Sequence, residues 1–297
     1  MKKKFKKKYW QLYLIILPAV IYMAIFAYGP IGGLLMAFEN YKPKLGYLGS
    51  EWVGLKHFIR FINYPDFWIL IRNTLVISLY SLATFPCAVI LALLINEVGN
   101  VKFKKTIQMV TYAPHFLSMV VVCSIVTMMV GRDGPIGNLY ELFTGKNEDL
   151  LSLSRWFSSI YVWSGVWQEV GWGTIIYLAA LSGVSPDLIE SAKIDGAKRA
   201  QIIRYINVPC ILPAIVIMFI MRIGSLLSVG FEKIFLLQNQ LNLDTSRVIS
   251  TYVYEIGVKG GQFSYSTAIG LFNNVLNLLL ILGANKISRK ISGIGLW

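Results

Sequence analysis

Six stretches of this chain stay apolar for about twenty residues or more, and that pattern decides most of what it can fold into. They run roughly over Trp10–Ala37, Asn73–Ile95, Ile107–Val130, Ile160–Leu181, Ile211–Val229 and Ser264–Ala284. About 20 residues of helix cross the hydrocarbon layer of a bilayer. In lipid the backbone has no water to bond, so open irregular segments are excluded and helices satisfy their polar groups internally. The expectation is an all-α polytopic membrane protein with six transmembrane helices. Composition agrees: 56% of the 297 residues are hydrophobic and 14% charged, against about 25% charged in an ordinary soluble domain. The first stretch is too long for a signal-peptide core and no A-x-A-type cleavage site follows, so it is expected to be a retained span.

A net charge of +13 could point to nucleic acid, but its distribution points elsewhere. With the N-terminus placed inside, segments 1–9, 96–106, 182–210 and 285–297 carry sixteen bases and a net charge of +12. The outer loops 38–71, 131–159 and 230–263 sum to zero. This is the asymmetry of the positive-inside rule. Both termini are therefore expected in the cytoplasm, and the basic tail 1–9 suits anionic headgroups there. The expectation is one transmembrane domain over residues 1–297, with no soluble domain and no nucleic-acid partner. The aromatic outer loop 38–71 should hold short interfacial helices. Gly29–Gly33 encloses Pro30 and should kink the first span. Cys87, Cys123 and Cys210 form no CxxC pair and read as small buried hydrophobes. His57 and His115 are isolated, and no metal site is expected.

One inner loop breaks the apolar pattern. Ser185-Pro186-Asp187 reads as a helix start, with a hydroxyl cap, proline at the first helical position and an acid in the first turn. Asp195-Gly196 then breaks the helix, with Gly196 free to take positive φ. A second short helix should follow over Ala197–Tyr205, with Ile202, Ile203 and Ile206 inward, before Pro209 and Pro213 shape the start of span five. The result is a helix-turn-helix knob exposing small residues on one side and charges on the other.

The spacing of Glu190, Ser191, Ala192, Asp195, Gly196, Ala197, Ile206, Pro209 and Pro213 resembles the EAA signature of binding-protein-dependent ABC importer permeases. Ser191 stands where the commonest form has alanine. The segments FENYKPKLGYLGSEWVGLKHF, RNTLVISL and AIGLFNNVLN, with the terminal ISRKISGIGLW, are similar to the sugar branch, and most to Gram-positive permeases for complex oligosaccharides. The resemblance implies a type I importer permease fold whose loop 182–210 is a cytoplasmic coupling helix. Glu190 would meet basic groups of an ATPase, Ala192 and Ala197 would fit its cleft, and Gly196 would make the turn. It also implies two ATPase subunits, a second homologous permease and an extracellular solute-binding lipoprotein. The chain has no G-x-x-x-x-G-K-[ST] phosphate loop. ATP and Mg²⁺ would then belong to the partner subunits, with no cofactor on this chain and no enzymatic activity of its own.

A path for cargo is sought on spans four and six. Trp163, Trp167 and Trp172 offer aromatic faces to sugar rings, and Gln168 and Glu169 offer polar neighbours. Glu169 sits roughly 15 Å into its span, and an ionisable residue at such depth is a functional candidate by default. An ion pair between Glu169 and Arg222 of span five is the structural alternative. Trp163 also suits the aromatic belt at the outer interface. Asn273 and Asn277 share one helix face, as interhelical glue or as path lining. The leading expectation is a permease subunit for ATP-driven oligosaccharide import by alternating access. An EAA-type permease for a non-sugar solute stays open, as does a self-sufficient secondary transporter using Glu169.

Overall fold

The computed structural model describes residues 10–297, and the basic tail 1–9 lies outside the described residues. The chain begins with α1 (Trp10–Phe38), strands β1 (Glu39–Asn40) and β2 (Glu51–Trp52), and the short α2 (Lys56–Ile62). Next come α3 (Phe67–Asn96), α4 (Val101–Tyr112), α5 (Met119–Val130) and α6 (Pro135–Thr144). Helix α7 (Ser154–Leu181) leads into α8 (Pro186–Ile194); α9 (Arg199–Gly224), α10 (Phe231–Leu237) and α11 (Phe263–Ser292) follow. Among the described residues five segments are long and apolar enough to cross a membrane: α1, α3, Met119–Thr144, α9 and α11. Counting α7 with α8, which bends from it by 78°, makes six.

Proline sets where the winding changes. The sequence predicts one helix over Ile107–Val130, but the structure breaks it. Helix α4 ends in a 3₁₀ turn, Ala113–Phe116, which contains Pro114. Ser118 then caps a new helix, its hydroxyl accepting from the Val121 N–H at 3.4 Å. Pro114 has no N–H to continue the ladder, and the chain re-caps four residues later. Within α9 a π turn, Ile203–Asn207, precedes Pro209. There the Val208 N–H reaches back to the Ile203 carbonyl, a wider turn that carries the helix past a residue with no N–H to give. The expected separate helix over Ala197–Tyr205 is thus the beginning of α9 itself. In α1 a π turn, Ala24–Tyr28, passes into a 3₁₀ segment at Gly29-Pro30.

The chain forms two compact units. One contains residues to Tyr64 together with Val253–Phe272. In it β1 pairs antiparallel with β2, Glu39 opposite Trp52. Phe38 stacks on Trp52 at 5.6 Å. The Arg60 guanidinium lies 4.1 Å from the Tyr265 ring centre. His57 Nε2 is 3.1 Å from the Glu39 carbonyl. Burial lowers the His57 pKa, opposed by that carbonyl contact. None of the apolar window of α1 is buried, so lipid or another chain must cover it.

The other unit contains Pro65–Tyr252 and Asn273–Trp297. It has two apolar cores. Ile77, Val122, Phe157 and Ile234 belong to one. Val89, Ala92, Tyr177, Leu181 and Ile211 form the other. Helix α7 reaches both, through Phe157 near its start and Tyr177 and Leu181 near its end. Between them Gly171 lets α7 approach α4 closely: a β-carbon there would collide with the Thr111 carbonyl.

Candidate functional site

The knob follows from its local sequence. Ser185 is extended as an N-cap should be, but its hydroxyl does not make the expected cap bond; Pro186 opens α8 and Asp187 lies in the first turn. Helix α8 ends in a Schellman turn: Gly196 donates to the Lys193 carbonyl at 3.0 Å and Ala197 to the Ala192 carbonyl at 2.9 Å. Gly196 takes φ of 80°, which a side chain would strain. The Lys198 N–H then donates to Gln201 Oε1 at 2.7 Å and starts α9. No residue of α8 is buried, and Leu188, Glu190, Ser191 and Asp195 all face outward. Ala192 and Ala197 are half-buried, as is Ile206, while Pro209 is exposed. Below the knob, Asn207 is buried and donates to Glu97 Oε1 at 3.5 Å.

Midway along α7, between the two apolar cores, lies a cavity of about 790 Å³. Gln168, Glu169, Tyr161, Arg222, Glu232 and Lys233 contribute polar groups to its wall. Gln168 is buried. Glu169 Oε2 is 2.9 Å from Nδ1 of His115, which sits in the 3₁₀ break after α4. The imidazole also stacks on Trp172, 4.4 Å between centres and 4° from parallel. Among the described residues Glu169 therefore pairs with His115 and not with Arg222. Lys233, from the short α10, is 5% exposed and donates to the Tyr161 carbonyl at 2.9 Å. Burial lowers its pKa from 10.5 to about 8, with Cys123 and Glu169 pulling the other way. A wall of alternating aromatic, amide and charged groups can bind a hydroxyl-rich ligand without trapping it in one pose.

A family model described as "Binding-protein-dependent transport system inner membrane component" matches residues 71–293. The chain belongs to this family. Inner membrane components of binding-protein-dependent systems are multi-pass cell-membrane transport subunits, and the helical count fits one. This family member is 45% identical over 99% of its length to a Bacillus subtilis protein, covering 92% of that protein. The relative is the "Polygalacturonan/rhamnogalacturonan transport system permease protein YteP". It is 44% identical over 98% of its length to Protein LplB of the same organism, covering 92% of it. Among solved structures it matches a chain of a bacterial alginate ABC transporter in complex with an alginate pentasaccharide-bound periplasmic protein. That match has a TM-score of 0.88 and 39% identity, and covers 98% of both chains.

The candidate path residues of this inner membrane component fall in four places. Gln168 and Glu169 line the polar cavity. Trp163 and Trp167 line a separate, apolar hollow of about 510 Å³ beside Val126, Met129 and Phe143. There the Trp163 indole N–H donates to the Tyr80 hydroxyl at 2.8 Å. Trp172 backs His115. Asn277 is buried; its carbonyl accepts from the Leu227 N–H at 3.0 Å and its amide donates to Ser228 Oγ at 3.0 Å. Asn273 donates to the Leu227 carbonyl at 3.3 Å. Both asparagines thus fasten the turn that leaves α9. Sequence reasoning missed His115 and Lys233. A polar residue beside proline inside an apolar run marked the first. No local pattern separated Lys233 from other outer-loop bases.

Proposed function

We propose that this chain is the membrane permease of an ATP-driven, binding-protein-dependent oligosaccharide importer, with the polar cavity along α7 as part of the cargo path. The carrying observation is 45% identity, over 99% of the chain, to a polygalacturonan/rhamnogalacturonan permease, together with that cavity in the middle of a candidate span. The exposed knob at α8 is the contact for a separate ATPase. Its helix, with no buried residue, and its left-handed glycine suit a rigid element that fills a cleft on another protein. No phosphate loop occurs in the chain, so hydrolysis falls to partner subunits. Two ATPases, each gripping one knob, require a second permease. The uncovered apolar surface of α1 is consistent with that neighbour or with lipid. An extracellular solute-binding protein would deliver cargo, as the periplasmic protein accompanies the alginate transporter. The charge asymmetry supports a cytoplasmic side for both termini and the knob.

Co-purification from detergent tests the assembly, and uptake of labelled oligosaccharides into proteoliposomes tests the activity. The reading expects ATPase subunits to accompany the wild-type chain and to be lost with Glu190→Ala or Gly196→Pro, and uptake to require ATP. Gradient-driven uptake by the lone chain would replace this reading with a secondary transporter.

A further inference from the structure

The four charged groups lining the polar cavity are not equivalent. Glu169 is committed to His115 at 2.9 Å. Glu232 is exposed at the start of α10. Arg222, on the last turn of α9, forms no ion pair among the described residues. Lys233 is the unusual one. It is 95% buried, yet among the described residues no carboxylate comes within ion-pair distance of its ammonium. Its acceptor is one backbone carbonyl, that of Tyr161, and the ring of the same residue lies 4.9 Å away. An ammonium has three donors, and a buried one is costly unless paired. Two donors and one positive charge therefore remain for something that enters the cavity.

We propose that Lys233, with Arg222 elsewhere in the same cavity wall, is the specificity element that receives a carboxylate of the cargo, so that the path favours uronic-acid oligosaccharides over neutral ones. This rests on the reading of the cavity as a cargo path. Tyr161 holds the ammonium twice, through its carbonyl at 2.9 Å and through its ring, over which the ammonium lies 4.9 Å from the centre. Gln168, Ser225 and Ser228 line the same wall and can serve hydroxyl groups. A monoanion fits better than a phosphate dianion, because Glu169 and Glu232 share the cavity and repel the second charge. Even with burial lowering its pKa to about 8, Lys233 stays mainly protonated at neutral pH, and a bound carboxylate would hold the proton more firmly.

The test uses the complete complex in proteoliposomes, with its solute-binding protein saturated in every sample. Uptake of galacturonate and mannuronate trimers is compared with uptake of their methyl esters, which keep size and hydroxyls but lose the charge. Lys233→Met should reduce the acid-to-ester uptake ratio about tenfold, with acid uptake slowed much more than ester uptake, as expected for loss of a charge-assisted bond. Lys233→Arg should keep most of the ratio. Because the binding protein is common to all samples, a change in ratio belongs to the permease. An unchanged ratio in Lys233→Met, or equal slowing of acid and ester, overturns the assignment and leaves the importer reading intact. If Lys233→Met does not assemble, Arg222→Gln decides: a lowered ratio supports the proposal and an unchanged ratio overturns it. If neither acid nor ester enters although ATPase subunits are bound and active, the oligosaccharide reading fails and the carboxylate assignment with it.

Discussion

The knob and the cavity belong to the same compact unit and are built on opposite principles. The knob is local. Its proline, turn glycine, Schellman bonds and the Gln201 cap that starts α9 all lie within Ser185–Gln201, and α8 buries nothing. The cavity is non-local. Its defining contacts join His115 to Glu169 and Lys233 to Tyr161, across 54 and 72 positions of sequence. A surface meant for another protein can be specified by a short run whose side chains remain free. A chamber inside one chain needs helices already packed before its groups can meet. Damage should differ accordingly: at the knob it should spare folding and abolish coupling, and in the helix packing that forms the cavity it should reach the fold itself.

The largest effect is expected where α7 packs on α4, beside the cavity. Gly171→Val would drive a branched side chain into the Thr111 backbone where α7 crosses α4. Overpacking against backbone that cannot rotate away should cost about 3 kcal/mol or more. The expected outcome is little folded protein by fluorescence-detected size exclusion. Normal yield would mean that α4 is free to move, and the cavity wall would then be soft. Gly196→Pro is the counterpart at the knob. Proline cannot take the φ of 80° found there, so the turn must open. No side chain within reach packs on that position. Thermal midpoints should stay within about 2 °C of wild type while ATP-driven uptake falls to background. A large drop in midpoint would erase the contrast between the two regions.

The same contrast explains what was legible in the sequence. The spans could be read because each is one continuous apolar run, and the knob because caps and turn residues act on near neighbours. The break before α5 needed only Pro114 and was still missed, because apolarity is continuous across it and hydropathy cannot register a missing N–H. The cavity was read in part. Glu169 stood out as an acid at mid-span depth, but its partner could not be guessed. Arg222 matched in depth and sign, whereas His115 won by geometry, seated on Trp172. Asn273 and Asn277 lie four residues apart on α11, yet the groups they bond, the Leu227 backbone and the Ser228 hydroxyl, belong to a turn about fifty positions away that no local pattern points to. Lys233 looked like a loop base because burial of a charge is a property of the packed fold.

Lys233→Met provides a middle-sized effect with a defined sign. The folded pKa, about 8, lies below the ordinary 10.5, so between those values the unfolded chain holds more protons than the folded one. Stability therefore rises as pH climbs through that window, and below about pH 8 the buried charge is a standing penalty. Removing it should stabilise the detergent-solubilised protein at pH 7 by on the order of 3 kcal/mol, less about 1 kcal/mol for the lost bond to Tyr161. The gain should shrink steadily towards pH 10, as followed by thermal unfolding at several pH values. A variant less stable than wild type at pH 7 would mean that the ammonium already has a counter-ion, and the cavity would lose its open charge.

The smallest effects should divide the cavity from its apolar neighbour. Glu169→Gln keeps the shape of the side chain but removes the charge facing His115 Nδ1, 2.9 Å away. Losing a charge-assisted bond at the cavity wall should slow oligosaccharide uptake roughly tenfold, with assembly intact. Trp167→Ala empties part of the apolar hollow instead, a surface with little to offer a hydroxylated cargo. Its uptake should stay within about threefold of wild type, and its cost should appear in thermal stability, where truncation of a half-exposed tryptophan removes packing. Parallel uptake assays on proteoliposomes matched for assembled complex would separate the two variants. The reverse order, with Trp167→Ala the slower, would move the cargo path from the charged wall to the tryptophan face, and the polar cavity would then be a hydrated support for α7 and not a route through it.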